Sequence, residues 1–247
     1  MAPARTEATR SAYRQPARAY EAVLRPVRQG NAFEETVERL LQVIRLGVVP
    51  VGERLPPERD LALRLGVSRA TVREAISALQ RAGFAEPRRG RYGGTFVLAT
   101  PGPVRPPDIE VDHLEDSLVL RHVVEVGATE QAAARNLGPD EVEHLLGILA
   151  ATSTADPSEY RRADSRLHLA LAELSGCPSL TAAVADARAR VNGLLDAIPL
   201  LEVNIRHSDA QHRRIVSAVL TDAPEMARLA MAEHVEGTAA LLRGFLG

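Results

Sequence analysis

Two groups of side chains in this sequence have the types and spacing to do chemistry. The first is a run of arginines and hydroxyls, Ser68-Arg69-Ala70-Thr71-Val72-Arg73. Arg69 and Arg73 stand four apart, so on a helix they share one side. A guanidinium pairs bidentately with a phosphate or with the O6/N7 edge of guanine. The hydroxyls of Ser68 and Thr71, with the free N–H groups of a helix start, take phosphate oxygens. Arg59 lies in the preceding helical stretch and would meet the backbone or a base edge. Arg89-Gly90-Arg91 forms a basic turn that brings main chain and charge towards a minor groove. Any one of these arginines alone reads as a solvated surface residue; the set, in this order, reads as a contact with double-stranded DNA.

The second group is Asp164, His168, His212 and His234. Asp164 and His168, at i and i+4, lie on one helix face and can share one ion. His212 falls on the next helix but one and His234 on the last. Facing helices of a bundle can aim such residues at one interior point. The spacing alone leaves open whether they meet. His113, His122, His144 and His207 read as ordinary surface or core residues. No nucleophile–base pair and no paired carboxylates stand out, so nothing requires catalysis.

These residues need elements to hold them. Around the arginines, Pro57 with Glu58 and Asp60 marks a helix start. Leu61, Ala62 and Leu65 give that helix an apolar face, and Gly66 ends it. Ser68 caps the next helix, whose inner face is Val72, Ala75, Ile76 and Leu79. Phe84–Glu86 and Thr95–Val97 are short strands on either side of the glycine-rich turn. Upstream, Phe33, Val37, Leu40, Leu41 and Ile44 recur at helix spacing. Residues 31–98 are therefore expected to form a helix, a helix-turn-helix and a β-wing. The prolines between Pro101 and Pro107 make residues 99–111 a linker. From 112 to the end the pattern is all helical, with helices near 112–136, 139–151, 158–175, 179–197, 203–220 and 223–245. The fold class is mainly α: a winged helix-turn-helix followed by an all-α antiparallel bundle. Residues 1–30 show no apolar periodicity and are expected to be a disordered basic tail.

Charge follows the same division. Residues 1–98 hold 17 Arg against 10 acidic residues, and residues 99–247 hold 13 against 22. A basic front suits a polyanion and an acidic rear does not. The single cysteine, Cys177, excludes an internal disulfide and reads as a small packed residue. No apolar run approaches the ~20 residues that span a bilayer. A cytoplasmic location and no membrane partner are expected.

Two long segments carry a resemblance. Pro50-Val51-Gly52-Glu53-Arg54-Leu55-Pro56-Pro57-Glu58-Arg59-Asp60-Leu61-Ala62 and Leu65-Gly66-Val67-Ser68-Arg69-Ala70-Thr71-Val72-Arg73-Glu74-Ala75 resemble the winged helix of the GntR family of bacterial transcription regulators. The resemblance implies a homodimer, a palindromic operator, and DNA contacts from Arg59, Arg69, Arg73 and the wing at Gly90. Ala70 departs from the family pattern, where a hydroxyl or Pro is common. Residues 112–245 are similar to the FCD effector domain of the FadR-like branch. Arg162 to Gly176 matches its Asp-x3-His helix and following Ser-Gly turn, and His212 and His234 match its later histidines. This implies that Asp164, His168, His212 and His234 hold one divalent ion, with a small organic acid completing the shell. Such a set suits Zn2+, Ni2+ or Mn2+. Arg121 matches an arginine that in the family faces the cavity and pairs with an effector carboxylate; an Arg121–Glu125 surface pair is the other reading. The expected function is a ligand-responsive regulator, a repressor rather than an enzyme. The alternatives are a metal-dependent enzyme, or a regulator whose metal is structural and has no effector.

Overall fold

The computed structural model describes residues 23–45, 48–90, 93–98 and 111–247. A 3-10 turn, Gln29–Asn31, leads into α1, Ala32–Arg45. Glu34 and Glu35 sit in its first turn, where the helix dipole favours them. Helix α2 (Glu58–Leu65) closes on Gly66 at φ +67°, a left-handed angle that glycine takes without strain. Helix α3 (Arg69–Arg81) opens on Ser68, whose Oγ accepts the Thr71 N–H at 3.0 Å. Strands β1 (Ala85–Arg88) and β2 (Gly94–Val97) pair antiparallel, Ala85 opposite Val97 and Arg88 opposite Gly94. Arg54 bridges to Phe96 on the other edge of β2.

Six helices make the bundle: α4 (Val111–Ala133), α5 (Pro139–Ser153), α6 (Pro157–Leu174), α7 (Pro178–Asp196), α8 (Glu202–Leu220) and α9 (Pro224–Leu246). Four of them start on proline, which lacks only an N–H that would be unpaired there. Helix α9 lies between α4, α8 and α1. None of the described helices is long and apolar enough to cross a membrane.

The winged helix, or head, is not hung loosely on the bundle. One apolar cluster runs from Val37, Leu40, Leu61 and Leu79 of the head into Leu114, Val191, Leu242 and Phe245 of the bundle. Phe84 meets Phe245 edge to face, with ring centroids 6.1 Å apart. Two glycines on one face of α9 let α1 come close. A Cβ on Gly244 would stand 3.1 Å from Glu38 Cα, and one on Gly237 only 2.7 Å from Asn31 Oδ1.

Three expectations are corrected. Residues 23–30 are not tail: Val23, Leu24 and Val27 are buried in the head core, and Arg28 pairs with Glu35 at 2.5 Å and Glu236 at 3.0 Å. Three apolar residues in so short a stretch have no period to detect, and the surface they cover exists only after α1 and α9 pack. Cys177 is exposed, because it stands just before α7 rather than on an inward face. The strands lie one or two residues from the expected positions, at 85–88 and 94–97. The proline-rich stretch 99–110 lies outside the described residues.

His207, expected to be an ordinary residue, ties bundle to head: its Nδ1 lies 2.7 Å from Glu34 Oε1 of α1. The hydrogen bond to Glu34 raises the imidazole above its ordinary value despite partial burial. Its contribution is therefore complete below about pH 6.5 and is lost as pH rises through the raised value. The stability difference between the unsubstituted chain and His207→Ala, from urea titrations, is expected to shrink between about pH 6 and about pH 9. A difference that grows with pH would contradict the pairing.

Candidate metal centre and DNA-reading head

Three helices bring Asp164, His168, His212 and His234 to one point, with one ligand atom from each within 4.8 Å of the others. Asp164 and His168 come from α6, His212 from α8 and His234 from α9. All four are buried. His234 Nε2 lies 3.2 Å from His168 Nε2 and 3.3 Å from His212 Nε2. Asp164 Oδ1 lies 3.3 Å from His212 Nε2 and 3.7 Å from His168 Nε2. Ligands about 2.0–2.1 Å from a tetrahedral zinc stand about 3.3–3.4 Å apart. Three of these four separations match that value, so the cluster could hold a metal ion.

The hydrogens point to the same conclusion. His168 Nδ1 stands 2.6 Å from Glu125 Oε2, a charge contact that favours the hydrogen on Nδ1. His234 Nδ1 faces Gln211 Oε1 at 3.0 Å and also carries one. Burial holds both imidazoles below their ordinary value, outweighing Glu125 for His168 and reinforced by the other two histidines for His234. Both rings are then neutral with bare Nε2 atoms, which face each other at 3.2 Å with no hydrogen between them. Two buried lone pairs in that position call for a cation. The residues fit a divalent ion.

Around the cluster lies a charged layer that sequence reasoning only half found. Glu125 is expected only as a surface partner of Arg121, and Arg188 carries no expectation. Arg188 Nη2 reaches Asp164 Oδ2 at 2.5 Å, and Arg121 Nε reaches Glu125 Oε1 at 3.1 Å. Burial raises the Asp164 carboxyl, but Arg188 and the histidines outweigh it and hold it well below its ordinary range. Glu125 follows the same pattern: Arg121, His168 and Arg188 overcome its burial. The i, i+4 pair Arg121–Glu125 therefore does form, inside the protein instead of on its surface. The only sequence signal for Glu125 was that spacing; for Arg188 there was none, since its partner sits a helix away.

Arg121 Nη1, Arg188 Nε and Arg188 Nη1 are buried without a hydrogen-bond partner among the described residues. A cavity of ≈40 Å³ touches Arg121, Asp164 and His234. Its lining also includes the polar Tyr160, Asn204, Ser208 and Thr238 and the apolar Ile198, Leu200, Leu201 and Leu241. Its volume is room for about three waters.

On the head, Arg59, Arg69, Arg73 and Arg89 are exposed. Arg73 Nη2 reaches back to Glu58 at 3.1 Å, which ties α3 to α2. Ser68 and Thr71 share a hydroxyl contact of 2.9 Å, so capping engages both side chains at the start of α3. Ala70 is exposed beside them and offers no polar group. Gly90 takes φ +109° at the wing tip, a region where a side chain would be strained. Arg91 lies outside the described residues.

Comparisons with known proteins cover both halves. The family model described as bacterial regulatory proteins, gntR family, matches residues 33–97, and the FCD domain matches residues 116–237. RmpR of Mycobacterium gastri, which bears the name of an HTH-type transcriptional regulator, is 34% identical over 213 residues, 81% of this chain and 76% of that protein. An Escherichia coli protein named as an L-lactate dehydrogenase operon regulatory protein is 29% identical over 227 residues, 82% of this chain and 83% of that one. The solved structure of Streptococcus agalactiae GntR aligns over 84% of this chain and 98% of its own, at 27% identity and a TM-score of 0.45.

Chelator-stripped protein is expected to take up one equivalent of zinc, nickel or manganese. Saturation at about 100 times Kd stabilises the fold by about 2.7 kcal/mol, read as a rise in Tm. His212→Ala should weaken binding sharply while leaving the helical circular dichroism intact. Protein that stays metal-free with all three ions has no such site.

Proposed function

The chain belongs to the GntR family of bacterial regulatory proteins and carries an FCD domain, and from that premise we propose a homodimeric repressor whose grip on a palindromic operator is set by a small organic acid held, with a divalent ion, in the bundle. It is a transcription regulator and not an enzyme. Asp164, His168, His212 and His234 would hold the ion, and their donor set suits Zn2+, Ni2+ or Mn2+. When bound, the ion supplies a Lewis-acidic position for a carboxylate oxygen.

One observation carries the acid. Asp164 and Glu125 are already balanced by Arg188 and Arg121. A divalent ion would add two positive charges that no further buried carboxylate of the cluster offsets. A buried charge without a partner is costly, so an anion is the missing member. Arg121, at the cavity with an unpartnered Nη1, is the side chain to take it. Arg188, with two unpartnered donors in the same layer, adds to the positive field. The cavity is small, with room for about three waters, and so favours a short acid over a long one. The relative named for an L-lactate dehydrogenase operon points to the same size class.

In the head, α3 would enter the major groove with Arg69 and Arg73 towards the bases. Arg59 and the α3 start, Ser68 and Thr71, would meet phosphates, and the wing residues Arg89, Gly90 and Arg91 the minor groove. A two-fold dimer reads an inverted repeat. Acid binding would favour one placement of the two heads and so change operator affinity.

With zinc present, a short 2-hydroxy or 2-keto acid is expected to raise Tm and to shift affinity for DNA selected from a random pool. Arg121→Gln should lose that response and keep zinc. If no acid moves either quantity, the ion is structural only. On the DNA side, unsubstituted protein should enrich an inverted repeat. Arg69→Ala and Arg73→Ala are each expected to remove ~1–3 kcal/mol of specific affinity while general phosphate affinity persists. Unchanged specificity in the double variant would take α3 out of the groove.

A further inference from the structure

We propose that Gln211 and Asn31 form a relay that reports the state of His234 to the DNA-reading head. The inference rests on the reading of the histidine cluster as a metal centre. Three side chains, all buried, join the cluster to the start of α1. His234 Nδ1–H donates to Gln211 Oε1 at 3.0 Å. Gln211 Nε2–H donates to Asn31 Oδ1 at 3.0 Å. Asn31 Nδ2–H donates to the Glu233 carbonyl at 2.7 Å. Every bond runs in one direction, from the ring to the head and back onto the helix that carries His234.

Direction is what makes the chain a sensor. A bound cation needs a bare Nε2 on His234, which keeps the ring hydrogen on Nδ1 and Gln211 in its present orientation. Without the cation, a hydrogen on His234 Nε2 relieves the facing lone pairs of His168 and His212. Nδ1 is then a bare acceptor opposite Gln211 Oε1. Gln211 must turn its amide over, and its oxygen then faces Asn31 Oδ1. Asn31 must turn in response and gives up the Glu233 carbonyl. The ring hydrogen changes place, no net proton is gained or lost, and the consequence appears at the first turn of the head.

Packing makes that consequence matter. Asn31 rests against Gly237, one turn beyond His234 on α9, where a Cβ would lie 2.7 Å from Asn31 Oδ1. Helix α1, which Asn31 leads into, packs against α3. Gln211 is thus a positioning residue for His234, and Asn31 carries its state to the helix that supports the proposed groove reader.

The test uses the full chain with Zn2+ alone, calorimetry for zinc affinity, and amide hydrogen exchange of residues 29–41. In the unsubstituted chain zinc is expected to slow exchange there. Asn31→Ala should keep zinc affinity within about twofold, since it touches no ligand, and lose the zinc-dependent protection. Gln211→Met should lose the protection and about 10–100-fold in zinc affinity. Gln211→Glu keeps an acceptor for His234 but not the donor for Asn31. It should hold zinc yet lose protection, and it serves if Asn31→Ala does not fold. Zinc-dependent protection that survives in Asn31→Ala or Gln211→Glu overturns the relay and leaves the metal site standing. So does zinc binding without protection in the unsubstituted chain. No zinc binding in the unsubstituted chain overturns the metal reading, and the relay with it.

Discussion

The bare Nε2 atoms of His168 and His234 face each other across 3.2 Å in the middle of a bundle built of Ala, Leu and Val. Most of the polar architecture follows from placing them there. A buried imidazole aimed at a common point needs an acceptor behind it, and Glu125 and Gln211 serve as those acceptors. Glu125 is itself a buried charge and requires Arg121; Asp164 requires Arg188. Gln211 has an amide hydrogen to satisfy and finds Asn31. Each polar group brings the next one inside, until the series ends at the head on one side and at the cavity on the other.

The same constraint fixes which helices must be adjacent. The ligands come from α6, α8 and α9, and the groups behind them from α4 and α7 as well as α8. A slip of any of these helices by one residue turns a ligand away by about 100°, since a helix has 3.6 residues per turn. The apolar clusters on either side hold the register. Leu167 and Leu171 flank His168 on α6, Ile215 follows His212 by nearly one turn, and Val235 follows His234 directly. Apolar packing thus sets positions that the polar groups could not set for themselves.

How much of this the sequence disclosed depends on where each signal lies. Helix limits in the head were legible because Pro57, Gly66 and Ser68 mark ends locally. Asp164 and His168 were legible as a pair because i, i+4 is a property of one helix. That His212 and His234 meet them came from resemblance, not from spacing. Arg188 was not legible, since nothing near it in sequence marks its partner. Arg121–Glu125 was legible as a pair but not as a buried one, because burial belongs to the helices that close over it. Val23, Leu24 and Val27 failed for a related reason: their core exists only once α1 and α9 have met. Gln211 carries no mark in the sequence beyond standing next to His212, and its second partner lies 180 residues away.

Which contacts can carry information between site and head is a question of magnitude. Useful coupling between two sites is about 1–3 kcal/mol. The exposed pair Arg206–Glu74, at 3.8 Å, touches α3 directly, but an exposed ion pair is worth about 0–1 kcal/mol and is screened by salt. The continuous apolar cluster is far larger, yet it has no reason to differ between the two states of the metal site, and equal energies in both states couple nothing. The buried amide chain is the part whose energy depends on the state. A typical hydrogen bond contributes about 0.5–1.5 kcal/mol net, and a buried donor left without a partner costs about 1–3 kcal/mol. One broken member of the series from His234 to Asn31 is therefore enough to reach the coupling range. The apolar cluster keeps the head seated in both states, and the amides determine which seat is preferred.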